Sequence, residues 1–265
     1  MGETQTGWLH DAAKAVVAPA FGRLWPTKVS GVEHIPSTGP AILAPNHTSV
    51  LDSFILPAVL ERQIMFVGKA EYLDDWKTRY LFPALGMIPI DRSGGSAAQA
   101  ALDAAAGVLR GGGLFGIYPE GTRSRTGVLY KGRTGAARLS VETGAPIVPV
   151  GITGTREIQP PDARMPSCFK PATVSFGAPI SADAYAERGD HRMMLREMTD
   201  DLMFSIQQMS GQRYEHRYAP SAAELASAAS GDVVDTAPVA PPVSSQDVLR
   251  SRVDVELVLP GVAGG

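Results

Sequence analysis

At 265 residues, with 44% hydrophobic and 19% charged residues, the chain has room for one α/β domain with a sizeable core. Its net charge of −3 does not mark a nucleic-acid partner, and a single cysteine, Cys168, excludes an internal disulfide. His10, His34, His47, His191 and His216 are scattered without Cys/His pairing, so no structural zinc site is expected, and no run approaches the ~20 apolar residues that span a bilayer.

Residues 1–28 lack the long apolar core and small-residue cleavage site of a signal peptide. Trp8, Ala12, Val16 and Ala20 recur at four-residue steps with Leu9 and Val17 beside them, while Asp11 and Lys14 fall off that stripe. The pattern predicts an amphipathic helix, kinked or divided at Pro19. Trp8 and Trp25 at its ends suit a helix lying in a membrane interface. The same stripe also suits a helix that covers the domain's own core.

Residues 29–217 read as the folded body. Apolar runs predict strands near 41–45, 64–68, 87–91, 114–118, 147–152 and 173–177. Helical spacing predicts helices near 52–61, 75–82, 96–109, 133–143 and 189–210. Alternation of this kind implies a single α/β domain, a mixed and largely parallel central sheet flanked by helices. Pro149, inside the apolar run 147–152, implies an edge position or a local kink. From residue 218 the chain turns rich in Ala, Ser, Pro and Val, with six acids against two bases. We read 218–265 as a low-complexity, disordered acidic tail, which leaves the body near neutral. The body's positive charge clusters at Arg123, Arg125, Lys131, Arg133 and Arg138, a pattern suited to a small anionic ligand.

Candidate site residues fall at predicted strand ends, where open α/β sheets bind ligands. His47 and Asp52, in Asn46-His47-Thr48-Ser49-Val50-Leu51-Asp52, follow the first apolar run. Five steps along a helix would leave them roughly 140° apart, so they meet only if the backbone turns between them. Ser49 to Asp52 equally fits a capping box, with the Ser49 hydroxyl on the Asp52 N–H and the carboxylate reaching back. Lys69, beside Glu71, and Arg92, ahead of Ser93-Gly94-Gly95-Ser96, end two further strands and are candidate anion contacts. In Tyr118-Pro119-Glu120-Gly121-Thr122-Arg123-Ser124, Gly121 allows close backbone approach to a ligand and Thr122 and Ser124 offer hydroxyls. Arg123 offers a planar fork for phosphate, and Glu120 an acceptor for a ligand hydroxyl. Gly111-Gly112-Gly113 lacks the following GK[ST] of a phosphate loop, and no G-x-S-x-G elbow is present.

Four segments in this order and spacing resemble the glycerolipid acyltransferase family, in its 1-acylglycerol-3-phosphate acyltransferase branch. They are Asn46-His47…Asp52, Gly86 to Arg92, Tyr118 to Ser124, and Ile147 to Gly151, and the resemblance runs from about Gly31 to Phe176. Tyr118 stands where the family usually has Phe, and Pro89 where it usually has an aromatic residue, which leaves the acceptor pocket's shape open.

The resemblance implies acyl transfer from acyl-CoA or acyl carrier protein to the free hydroxyl of a lysophospholipid, giving phosphatidic acid for phospholipid biosynthesis. It implies His47 as general base and Asp52 as its orienting acid. Arg92 and Arg123 would hold the acceptor phosphate, Glu120 the glycerol backbone, and Lys69, Gly121 and Thr122 would line the acceptor site. No metal or cofactor is expected beyond the thioester co-substrate. A peripheral place on the cytoplasmic side of the cell membrane is expected. The same chemistry on glycerol-3-phosphate, another lysophospholipid or a glycolipid is the nearest alternative. A thioesterase and a non-catalytic lipid-binding protein are alternatives of other classes.

Overall fold

A computed structural model describes residues 22–69, 86–90, 97–187, 190–220 and 224. The predicted helices within 1–21 and at 75–82, Arg92 with the loop around it, and nearly all of the acidic tail lie outside the described residues.

Seven strands form one sheet: β1 (Thr27–Ser30), β2 (Ala41–Pro45), β3 (Ile64–Lys69), β4 (Met87–Ile90), β5 (Leu114–Gly116), β7 (Ile147–Thr153) and β8 (Ala172–Phe176). Their order is β1-β8-β7-β2-β5-β3-β4. The block from β7 to β4 is parallel throughout, as crossover helices require, while β8 runs antiparallel to β7 and carries β1 parallel to itself. The sheet is therefore mixed and largely parallel. A separate parallel pair joins β6 (Leu129–Tyr130) to β9 (Tyr214–Glu215).

Both faces of the sheet are covered, which explains why its central strands read as unbroken apolar runs. Ala41 and Leu43 of β2 face one layer with Ile55 and Leu56 of α1 (Asp52–Val59). Ile42 and Ala44 face the other. There they meet α2 (Ala97–Arg110), α3 (Gly135–Thr143) and α5 (His191–Ser210), through residues such as Leu109, Leu139 and Met198. A one-turn helix, α4 (Thr155–Ile158), follows β7. The longest helix among the described residues, α5, is capped at both ends: Asp190 accepts from the Arg192 N–H, and Gly211 ends it in the left-handed conformation.

Pro149 does not sit on an edge strand: β7 lies between β8 and β2. The local irregularity it requires is present instead. Val150 pairs with Phe176, yet Ile147 pairs with Ile180, so the facing chain carries one extra residue between those pairs. Gly177 N–H donates to the Pro149 carbonyl at 2.8 Å, and the bulge falls where proline has no N–H to give.

Candidate active site

The carboxyl ends of β2, β5 and β7 meet at one place. Asn46 extends β2 by pairing its side chain with β7: its Oδ1 accepts from Ile152 N at 2.7 Å and its Nδ2 donates to Ile152 O at 2.9 Å. The same amide nitrogen reaches Gln212 Oε1 at 2.7 Å, just beyond α5. Buried at 1% exposure, Asn46 thus fixes the backbone from which His47 departs.

The chain turns after His47, and the turn is closed by Asp52. His47 Nδ1 lies 3.0 Å from Asp52 Oδ2, and the same oxygen accepts from Thr48 N at 2.8 Å and Ser49 N at 2.9 Å. The capping box is therefore half formed. Asp52 reaches back as expected, but the Ser49 hydroxyl accepts from Leu51 N and donates to Gln159 O, leaving the Asp52 N–H to the Ser49 carbonyl. One carboxylate oxygen serves both the turn and the imidazole, while Oδ1 is buried without a hydrogen-bond partner among the described residues. Asp52 is fully buried and the His47 side chain 13% exposed, so the imidazole is the member of the pair that solvent or a ligand can reach.

The loop after β5 wraps this turn. His47 N–H donates to Glu120 Oε1 at 3.1 Å, and Ser124 N–H donates to the His47 carbonyl at 2.7 Å. Glu120 Oε2 accepts from Tyr130 N at 3.0 Å, so one carboxylate ties the His47 turn to β6. Burial pushes the Glu120 carboxyl up to about 8, against the pull of its two backbone N–H donors. With 1% exposure, this side chain directs one oxygen to each of two backbone N–H groups. The Tyr118 ring stacks on the imidazole, centroids 3.7 Å apart and planes 15° from parallel. Its hydroxyl meets Ser53 Oγ in α1 at 2.7 Å, while burial, and then the Asp52 charge, push the phenol well above its ordinary range.

Beyond Glu120 the loop opens to solvent. Gly121 adopts φ +77°, and Thr122 and Arg123 are exposed beside it. What lies over Gly121 is the Arg133 side chain: a Cβ there would come within 3.1 Å of Nε. Arg123 has no partner among the described residues, and Arg133 faces the Tyr218 ring at 5.1 Å. Arg125 is paired with Asp162, and Arg138 turns away to Gln99. The basic cluster thus divides: Arg123 and Arg133 flank the loop beside His47, with Lys131 at 5.7 Å from the same Tyr218 ring. Lys69 ends β3, but its side chain, like the whole of Arg92, lies outside what the structure describes. Among the described residues no group of His, Cys, Asp and Glu could hold a metal ion.

Sequence reasoning passed over Gln212 and Ser53 and gave the Tyr118 hydroxyl no role. Gln212 lies 166 residues from Asn46 in the chain, and Ser53 lies 65 from Tyr118, so only the fold brings each pair together.

Residues 26–153 match the family model described as Acyltransferase. A chloroplastic 1-acyl-sn-glycerol-3-phosphate acyltransferase of Brassica napus is 28% identical over 152 residues, covering 57% of this chain and 44% of the relative. A 1-acyl-sn-glycerol-3-phosphate acyltransferase of Limnanthes douglasii is 33% identical over 170 residues, covering 60% and 56%. The human 1-acyl-sn-glycerol-3-phosphate acyltransferase alpha is 27% identical over 184 residues, covering 66% and 65%. The chain spans about half the length of the first of these relatives. A crystal structure of the 1-acyl-sn-glycerophosphate acyltransferase of Thermotoga maritima superposes with a TM-score of 0.60 at 20% identity, covering 80% of this chain and 85% of that one. At that identity the likeness is one of fold.

Proposed function

We propose that the chain, whose residues 26–153 match the acyltransferase family model, transfers a fatty acyl group from a thioester to the free hydroxyl of 1-acyl-sn-glycerol-3-phosphate. The product is phosphatidic acid, and the donor is acyl-CoA or acyl-acyl carrier protein. The observation that carries the reading is the 3.0 Å contact between His47 Nδ1 and buried Asp52 at the joined strand ends. Nδ1 donates to the carboxylate, which leaves Nε2 as the free base.

Nε2 takes the proton of the acceptor hydroxyl as its oxygen attacks the thioester carbon. The tetrahedral intermediate collapses by breaking the C–S bond, and the departing thiolate takes the proton back from the imidazolium. Asp52 stabilises that imidazolium and fixes the tautomer, as the aspartate of a Ser-His-Asp triad does, with the substrate as nucleophile. Arg123, exposed and unpaired among the described residues, binds the acceptor phosphate, with Thr122 beside it. Lys69 and Arg92 join the acceptor site in this reading. Glu120 acts at one remove, by holding the His47 N–H. No metal takes part. The chain sits peripherally on the cytoplasmic side of the cell membrane, where its acceptor resides.

The test is thiol release from acyl-CoA with and without lysophosphatidic acid. We expect release only with acceptor, and a His47→Ala variant with unchanged thermal unfolding and turnover lower by at least about a hundredfold. Release without acceptor would assign a thioesterase, no release with either thioester donor a binding protein, and near-wild-type turnover of the variant would sink the mechanism.

A further inference from the structure

Met165 and Phe169 are the most exposed large apolar side chains among the described residues, at 78% and 73%. Both lie in the connection 159–171 between α4 and β8. This connection is fastened at its base. Ser167 N–H donates to Ile158 O at 2.8 Å, Trp25 Nε1 to Ser167 O at 2.9 Å, and Phe169 N–H to Leu24 O at 2.7 Å. Phe169 is also the only non-glycine residue at positive φ, +63°, among the described residues. A bulky side chain is disfavoured there, so the fold carries backbone strain while this ring stays in water.

Within this connection cations outnumber acids. Asp162, the only acid in 159–171, is paired with Arg125, whereas Arg164 and Lys170 are both exposed. Arg23 adds a further exposed cation on the segment to which the loop is tied. Two apolar side chains on a protruding loop, with cations beside them, suit a lipid interface, where apolar tips enter and bases meet anionic headgroups. A protein partner would call for a contiguous, closely packed apolar patch instead.

The loop also adjoins the site. It begins at Gln159, whose carbonyl takes the Ser49 hydroxyl at 3.1 Å, two residues from His47, and Thr155 before it meets Thr48 at 3.3 Å. We propose that residues 159–171 are a membrane-contacting loop, with Met165 and Phe169 entering an anionic lipid surface and Arg164 and Lys170 at its headgroups. Docked this way, the loop brings the His47 turn to the bilayer in which a lysophospholipid acceptor lies. That last step alone rests on the proposed function.

Cys168, exposed and the chain's only cysteine, offers a probe position within the loop. The full chain labelled there with an environment-sensitive fluorophore is mixed with vesicles of phosphatidylcholine alone or with phosphatidylglycerol. We expect a blue shift, larger with phosphatidylglycerol, and vesicle affinity roughly tenfold or more weaker for Met165→Asp/Phe169→Asp. That variant should keep wild-type turnover on a short-chain, water-soluble lysophosphatidate. Phe169→Gly separates lipid contact from folding: it should unfold at or above the wild-type temperature yet bind vesicles less. No spectral shift, or wild-type vesicle affinity in both variants, overturns the proposal. So does unchanged vesicle affinity with a raised donor KM, which would assign the loop to a carrier protein. The vesicle measurements need no turnover, so they stand even if acyl transfer fails.

Discussion

His47 is held from three directions: Asp52 at Nδ1, the Tyr118 ring against its face, and the 118–124 loop on its backbone N–H and C=O. In the proposed role as base, an imidazole so fixed loses little orientational freedom when it takes a proton. Glu120 is central to that frame because both its oxygens meet backbone donors. In Glu120→Gln one of those oxygens becomes an NH2 group facing an N–H. We expect a loss of about 1–3 kcal/mol in unfolding free energy, read by denaturant titration. The group also sets a pH dependence. Its folded value is raised from 4.5 to about 8, so the folded state binds the proton more tightly than the unfolded chain. Its contribution is therefore complete below about 4.5 and is lost as pH rises to about 8. Over that window wild-type stability should fall more steeply than that of Glu120→Gln, and parallel slopes would contradict the shift. Arg123, exposed beside this frame, is the proposed contact for the acceptor phosphate. Arg123→Ala should raise the acceptor KM about tenfold with little change in kcat, and an unchanged KM would count against phosphate binding there.

Among the elements, α5 and β7 meet most closely at Gly151, where a Cβ would come within 2.4 Å of Met209 Cβ and 3.1 Å of its backbone. Because backbone cannot swing aside, Gly151→Ala should cost about 1–3 kcal/mol. The turnover of the folded fraction should fall too, since Asn46 is anchored on the neighbouring Ile152 and on Gln212 past the end of α5. Thermal unfolding and specific activity check the two effects, and wild-type stability would show that the helix shifts freely. The strands that were legible in the sequence, such as β2 and β7, are those buried on both faces, because burial enforces a continuous apolar run. β1, with its exposed Lys28, Val29 and Ser30, and the two-residue β6 and β9 carry no such run. Their strand character comes from pairing with distant partners. α4 is too short to show a period. The His47–Asp52 turn was legible because a helix could not join the two residues. The sharing of one Asp52 oxygen among three donors was not, since that depends on where Thr48 and Ser49 point their N–H groups.

On the scale of the whole molecule, the proposed membrane loop is fastened by Leu24 and Trp25, which in sequence directly follow the apolar stripe of residues 1–21. No described helix is long and apolar enough to cross a bilayer. Two weak contacts on one chain reinforce each other, because engagement of the first raises the effective concentration of the second at the surface. Removal of residues 1–21 spares Leu24 and Trp25 and so keeps the loop in place. We expect this truncation to lower vesicle sedimentation by about tenfold or more and to leave turnover on a water-soluble acceptor intact. Combined with Met165→Asp/Phe169→Asp, it should abolish sedimentation at concentrations where either change alone leaves some. Equal sedimentation of the truncated and full chains would return the stripe to its other role, as a helix that covers the domain's own core. The truncated chain should then also unfold at a lower temperature, so sedimentation and thermal unfolding measured together separate an anchor from a core helix.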